Sequence, residues 1–133
     1  LVNRLTKKEL SLIGISLYWA EGAKRDFTFS NTDPRMVKVF ITILKSTFYI
    51  PNDDFKISIR IYEDLNRKEC LNYWSKITGV NLTSRKTSVD VLKGFKKGKL
   101  KYGMCRIRVR KSGLLLKKFF AIIDKVVEKM KPS

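Results

Sequence analysis

The alternation of apolar and polar residues predicts the strands of this chain. The alternation is unbroken over residues 55–62, is repeated over 104–110, and occurs more briefly over 27–30. A fourth strand is predicted over 87–92. In the first three segments the polar positions would share one side of each strand, opposite an apolar side that faces a core. These polar positions are Thr28, Ser30, Lys56, Ser58, Arg60, Tyr62, Arg106, Arg108 and Arg110.

A helix is predicted over residues 7–21, ahead of the first strand. Thr6 and Glu9 have the spacing of a capping box at its start. Its middle is apolar nearly all round, which predicts burial on more than one side. Gly22 is expected to end the helix in the left-handed conformation, which glycine adopts without strain.

Three further helices are predicted from their start signals. The Asp33-Pro34 pair begins the second helix, and Asn66 caps a third over 66–78, which Gly79 ends. Ser112 caps a final amphipathic helix that runs to residue 130. The resulting order, α-β-α-β-α-β-β-α, predicts one mixed α+β domain over residues 1–133.

The net charge points to a polyanionic partner. The chain carries +17, from 29 Lys and Arg against 12 Asp and Glu, and residues 82–133 alone hold 16 basic and 3 acidic side chains. Such a charge opposes compaction by self-repulsion, and binding to a nucleic acid relieves it. Hydrophobic residues make up 44% of the chain, too many for a disordered basic tail.

The residue inventory excludes several kinds of site. The chain has no histidine, which rules out Ser–His–Asp catalysis and Cys/His zinc sites. Cys70 and Cys105 are too few for a disulfide framework and suit the reducing interior of a cell, so a cytoplasmic protein without a membrane span is expected. Because the chain opens at Leu1 rather than Met, a domain upstream is an open expectation.

The polar sides of the strands are typical of a nucleic-acid surface. Three arginines at alternating positions repel one another, whereas a face that only solvates a sheet mixes charge signs. Arginine binds guanine edges, and both basic residue types neutralise phosphates. An ordinary polar face is the alternative, since antiparallel sheets commonly expose one. The glycine-punctuated loop 93–103 adds the candidates Lys96, Lys97 and Lys99, either as a phosphate clamp or as a solvated tether.

The first helix ends in an acid, although it is otherwise apolar. The C-terminal end of a helix dipole disfavours a negative charge, so Glu21 requires compensation by a divalent cation or by Lys24 and Arg25. Ser16 and Ala20 are small and one turn apart, which allows another helix to approach closely.

Residues 14–22 resemble the signature helix of the LAGLIDADG homing endonucleases. Small residues, apolar residues and a terminal acid–glycine pair match the family pattern, at Ser16, Leu17, Tyr18, Ala20, Glu21 and Gly22. Trp19 departs from it, since the family consensus has its first acid there. The order of the later elements follows the family, with the helix at 66–78 as an insertion. The resemblance implies an antiparallel β-sheet saddle with helices packed on one face, which reads double-stranded DNA.

The resemblance also implies a homodimer with a metal at its centre. Two such helices would pack together through Ser16, Leu17 and Ala20, and Glu21 with Gly22 would bind Mg²⁺ above the scissile phosphates. Lys24 and Lys101 are candidates for a catalytic basic group, and Asn31 and Arg35 lie at the strand-to-helix corner that neighbours the family's scissile site. The expected function is sequence-specific binding of double-stranded DNA with Mg²⁺-dependent cleavage.

Two other functions fit the same sequence. One is a non-catalytic DNA-binding transcriptional regulator on the same scaffold, since Glu21 alone does not establish cleavage. The other is an RNA-binding protein, which the net charge alone would suit.

Overall fold

The computed structural model describes residues 4–94, 100–130 and 132 of the chain. Its helices and strands follow one another in the predicted order, with a short 3₁₀ turn at Asn52–Asp54 before the second strand. The helices are α1 (Lys7–Glu21), α2 (Pro34–Ser46), α3 (Arg67–Thr78) and α4 (Gly113–Lys129). The strands are β1 (Thr28–Asn31), β2 (Phe55–Tyr62), β3 (Val89–Leu92) and β4 (Met104–Val109).

Local capping explains where most of the helices begin. Thr6 and Glu9 form the predicted capping box of α1, and the Asp33 carboxylate accepts a hydrogen bond from the Arg35 amide at the start of α2. Asn66 caps α3 through the amide of Glu69. The prediction for Ser112 was only partly right, because α4 begins after it without a hydrogen bond from its side chain.

The end of α1 differs from the prediction. Gly22 has φ −86° and ψ 156°, an extended conformation rather than the left-handed one. The chain therefore leaves the helix directly as a strand, and Gly22 forms an isolated antiparallel bridge with Phe29 of β1. Glycine is required for space, since a Cβ at this position would meet the Tyr18 ring at 2.5 Å.

The four strands form one sheet in the order β1-β4-β2-β3. β4 lies antiparallel between β1 and β2, but β2 and β3 are parallel. The expected all-antiparallel saddle is therefore wrong at this edge. The cause is α3, because a helix between two adjacent strands carries the chain back to the starting end of the sheet.

The helices pack against the apolar face of the sheet. Phe29 of β1 stacks on Phe40 of α2 with 4.1 Å between ring centroids, and Ile59 and Ile107 are buried in the same core. The other face carries the polar strand positions. This separation supports the mixed α+β class.

The burial of α1 also differs from the prediction. Gly14, Ile15 and Tyr18 are buried, but Leu12, Ile13 and Trp19 are 44%, 39% and 45% exposed. The helix is therefore buried on one side only within a single chain. Its close contact with α2 is made by Gly14, where a Cβ would lie 2.8 Å from Ile43 Cγ2.

Candidate nucleic-acid interface

The strand register places the polar positions in rows across one face of the sheet. Arg108 of β4 lies between Thr28 of β1 and Lys56 of β2. One step along, Arg106 lies between Ser30 and Ser58. Directly opposite residues point to the same side of a sheet, so these rows form one continuous surface. We call it the basic face, and its members are Thr28, Ser30, Lys56, Ser58, Arg60, Tyr62, Arg106 and Arg108.

The cations of the basic face are accessible to solvent to different degrees. Lys56 and Arg108 are exposed, whereas Arg106 and Arg60 are half-buried. Arg110 follows the last residue of β4, is exposed, and donates its backbone amide to the Asp54 carbonyl at 2.8 Å. Its backbone is therefore held beside the basic face.

One acid that the sequence analysis did not single out lies beside these cations. Asp90 of β3 is level with Arg60, and its Oδ2 lies 3.6 Å from Arg60 Nη2. This ion pair and the one between Arg35 and Asp33 are those found among the described residues. Arg106 and Arg108 belong to neither pair, so the middle of the face keeps its positive charge.

A wall that sequence reasoning missed rises along one side of the basic face. The segment 80–88 leads from α3 into β3 and borders a depression of about 810 Å³. Lys56, Ser58, Arg106 and Arg108 line the floor of this depression, and Lys86 and Ser88 line its wall. The sequence indicated this segment only through the strand predicted over 87–92, and the observed strand β3 begins two residues later, at Val89.

Not every predicted contact residue is free to contact a ligand. Thr28 is 9% exposed, and its hydroxyl has no hydrogen-bond partner among the described residues. The Asn31 amide is used locally, since its oxygen accepts from the Asp33 amide at 2.8 Å and its nitrogen donates to Met36 Sδ at 3.2 Å. Arg35 is 90% exposed at the same corner. The corner therefore presents Arg35 rather than Asn31.

Tyr18 fixes the connection between α1 and β1. Its hydroxyl lies 2.6 Å from the Ala23 carbonyl and 2.9 Å from the Asp26 carbonyl, and it accepts the Thr28 amide at 3.1 Å. The ring is fully buried and stacks on Phe27 at 4.5 Å. Burial raises the pKa of this hydroxyl, so it stays protonated and keeps its donor role. The end of α1 is thereby held at the β1 edge of the sheet.

Glu21 is exposed at that edge and makes no ion pair within the described part of the chain. Lys24 does not pair with it, because the Lys24 ammonium donates to the Trp19 carbonyl at 2.9 Å and lies over the Phe120 ring. Of the two alternatives for compensating Glu21, a divalent cation or Lys24 and Arg25, an ion pair with either basic residue is not found among the described residues. Gly22 lies beside Glu21 with its backbone in the bridge to Phe29.

Lys101 lies in a different environment from Glu21. Its ammonium is 5.7 Å from the centre of the Tyr102 ring, which stacks on Tyr73 of α3 at 3.8 Å. The contacts of Lys101 are thus with an aromatic cluster beside α3, whereas those of Lys24 are at the end of α1. Lys96, Lys97 and Lys99 lie outside the described residues.

The exposed side of α1 forms a shallow apolar groove of about 390 Å³. Its lining combines the small residues of the signature with larger apolar ones, and consists of Leu12, Ile13, Ser16, Leu17, Ala20, Glu21 and Met36. Ser16 and Ala20 are exposed in the single chain, and Leu17 is half-buried. The predicted contact residues of α1 are therefore grouped on one accessible surface that ends at Glu21.

The described residues contain no group of three or more His, Cys, Asp or Glu side chains that could hold a metal ion.

No helix among the described residues is long and apolar enough to cross a membrane. Comparisons of the chain with models of protein families, with curated proteins and with solved structures found no match.

Proposed function

We propose that this chain binds double-stranded DNA through the basic face and acts as a LAGLIDADG-type endonuclease domain that works as a homodimer. The observation that carries the proposal is the register of β4, which puts Arg106 and Arg108 in the middle of a face with Lys56 beside them. The rest of the proposal builds on that surface.

The electrostatics of the basic face favour an anionic partner. Lys56 and Arg108 are directly opposite each other, where Cβ atoms are about 5 Å apart, so two like charges extend from neighbouring positions and repel each other. Phosphates that bind there remove this repulsion and release their own condensed counterions. Binding of an anionic partner therefore removes the charge repulsion that destabilises the free domain.

The chemistry of the face favours a duplex over a single strand. Proteins that bind single strands stack the bases on aromatic side chains. Among the described residues at strand positions of this face, Tyr62 is the one aromatic, while Lys, Arg and Ser predominate. Arginine and lysine suit the phosphates and guanine edges of a duplex. Competition between duplex DNA and single-stranded RNA tests this preference, and stronger binding of the RNA would contradict it.

The groove on α1 supports a second copy of the chain as partner. An exposed apolar surface with small residues allows two helices to approach closely, and a two-fold dimer would place the same surface on both sides. Ala20→Glu puts a charge into this surface without entering the core. The variant is expected to remain folded and to become monomeric in sedimentation equilibrium, and a dimer in Ala20→Glu would contradict the interface.

The carboxylate of Glu21 fits a hard divalent cation. Glu21 is exposed, unpaired among the described residues, and located where the helix dipole disfavours an anion. Glu21 and the backbone of Gly22 would hold Mg²⁺, and the ion would activate water and stabilise the charge that develops on the phosphate in the transition state. Because one chain offers a single carboxylate here, the two Glu21 residues of a dimer would share this work.

Binding and cleavage are tested separately. Arg106→Ala/Arg108→Ala should weaken duplex binding and lower the slope of log K against log salt by about 0.9 for each phosphate that is no longer neutralised. Lys118→Ala/Lys125→Ala removes the same charge from α4, where both lysines are exposed, and should leave the slope unchanged. Equal effects of the two double variants would contradict the basic face as the binding surface.

Cleavage is tested on plasmid DNA in Mg²⁺. Glu21→Gln should abolish cleavage and keep binding, while Glu128→Gln, an exposed α4 residue, should keep both. Full cleavage by Glu21→Gln would remove Glu21 from the catalytic site. Binding by the unaltered protein without cleavage would identify a DNA-binding regulator instead.

A further inference from the structure

The segment 80–88 is anchored by burial and hydrogen bonds rather than being a loose connection. Leu82 and Thr87 are 6% exposed, and the Leu82 amide donates to Ser75 Oγ at 2.9 Å. Between these anchors the amides of Lys86 and Thr87 donate to the Thr83 carbonyl, which closes a tight turn. Both ends of the turn are therefore fixed, and Ser84, Arg85 and Lys86 are exposed at its tip.

This turn lies at the edge of the sheet opposite α1. The Ser88 carbonyl accepts the Ile59 amide at 3.1 Å, so the segment enters β3 along the outer side of β2. In the strand order β1-β4-β2-β3, neighbouring strands are about 4.8 Å apart, which puts β3 roughly 14 Å from β1. The turn is therefore far from the edge where α1 ends.

The turn also faces the basic face rather than the helix layer. Lys86 and Ser88 border the same depression as Lys56, Arg106 and Arg108. Two exposed basic residues in sequence, Arg85 and Lys86, thus continue the cationic surface beyond β2. No acid pairs with either of them among the described residues.

We propose that the turn at 83–87 is a second DNA-contacting element, which grips the duplex outside the segment bound by the sheet. The inference rests on the proposed function. In a dimer that meets at α1, the turn of each subunit would contact the outer end of its half-site. Arg85 and Lys86 bind phosphates there, and Ser84 offers a hydroxyl to the same backbone. The position adds affinity and length of contact rather than catalysis.

The two buried cysteines make a direct experiment possible. Because Cys70 and Cys105 are 1% and 0% exposed, a cysteine introduced at the surface is the thiol that a photo-crosslinking reagent reaches. Lys86→Cys tests the turn, Ser58→Cys tests the sheet, and Lys118→Cys on α4 is the control. Each labelled variant is irradiated with a random-sequence duplex long enough for two subunits. Cross-links from Lys86→Cys and Ser58→Cys, but not from Lys118→Cys, are expected.

The outcomes separate this inference from the proposed function. Cross-linking by Ser58→Cys without cross-linking by Lys86→Cys would overturn the role of the turn and leave the basic face in place. Failure of both would overturn the proposed function and the inference with it. As a second measurement, Arg85→Ala/Lys86→Ala should lower the salt slope by about 0.9 for each phosphate that the turn no longer binds. An unchanged slope would count against the turn.

Discussion

Replacing Tyr18 by Phe removes one hydroxyl from the point where α1 passes into β1. The hydroxyl proton lies between the Ala23 and Asp26 carbonyls, both within hydrogen-bond distance, and the hydroxyl oxygen accepts a hydrogen bond from the Thr28 amide. A typical hydrogen bond contributes about 1 kcal/mol net, and a buried amide left unsatisfied costs about 1–3 kcal/mol. Tyr18→Phe should therefore lower the free energy of unfolding by about 2–4 kcal/mol, a large share of the stability of a domain this size.

Urea unfolding followed by circular dichroism measures this loss as a shift of the midpoint at constant slope. Tyr49→Phe is the matched control, because Tyr49 is 67% exposed and its hydroxyl accepts a bond from Lys7 at the surface. That control should change stability by no more than about 0.5 kcal/mol. Amide exchange at Thr28 should also accelerate in Tyr18→Phe. A stability equal to that of the unaltered protein, with unchanged exchange at Thr28, would refute the role given to this hydroxyl.

Three further predictions concern glycines and a buried cysteine. Gly103→Ala should destabilise the protein by about 2–5 kcal/mol, because φ is +79° and a Cβ would collide with a backbone carbonyl of β2. A melting temperature within about 2 °C of that of the unaltered protein, which corresponds to roughly 0.5 kcal/mol, would contradict this. Gly14→Ala should lower the free energy of unfolding by about 1 kcal/mol, because the added Cβ would press against α2. Gly113→Ala should raise it by up to about 1 kcal/mol, because a Cβ there meets nothing within 4 Å. Urea midpoints in the reverse order would contradict this packing. Burial raises the pKa of Cys105 to about 12, so the stability linked to its neutral thiol is complete below pH 9 and is lost as pH rises towards 12. Urea unfolding from about pH 8 to 11 should show a steeper decline than in Cys105→Ala, and parallel curves would argue against this pKa.

The fold was predictable where one rule decided each position. Strict alternation identified β2 from its first residue to its last, and it placed Lys56 and Arg60 on the side away from the core. Asn66 and Gly79 delimited α3, and Gly79 has the left-handed conformation expected of a helix-ending glycine. These features depend on the period of a strand or on the geometry of a cap, which a few neighbouring residues determine.

Other features depend on contacts between distant segments. The parallel pairing of β2 with β3 follows from the path of α3, and nothing in the alternation of residues 87–92 distinguishes it from an antiparallel pair. The extended conformation of Gly22 accompanies its bridge to Phe29 of β1, a pairing between segments that the local sequence does not specify. Leu12, Ile13 and Trp19 on the exposed side of α1 are as apolar as the residues on its buried side, so composition alone predicted burial all round.

The candidate site likewise has a part that the sequence predicts and a part that depends on contacts between distant segments. The polar strand positions were predictable, because a period of two assigns them to one face. The wall at 80–88 was not, since Leu82 and Thr87 bring a basic turn beside Lys56 through tertiary packing. The ion pair of Arg60 with Asp90 was missed for the same reason, as it requires the parallel register.

Chemical modification of the protein with and without duplex DNA tests the basic face most directly. Acetylation of lysines and phenylglyoxal modification of arginines, read by mass spectrometry, reports which side chains the duplex covers. The proposed function predicts that DNA protects Lys56, Arg106 and Arg108 and leaves Lys118 and Lys125 of α4 fully reactive. Protection of the α4 lysines, with the three strand residues still reactive in the complex, would contradict the assignment of the sheet as the DNA-binding surface.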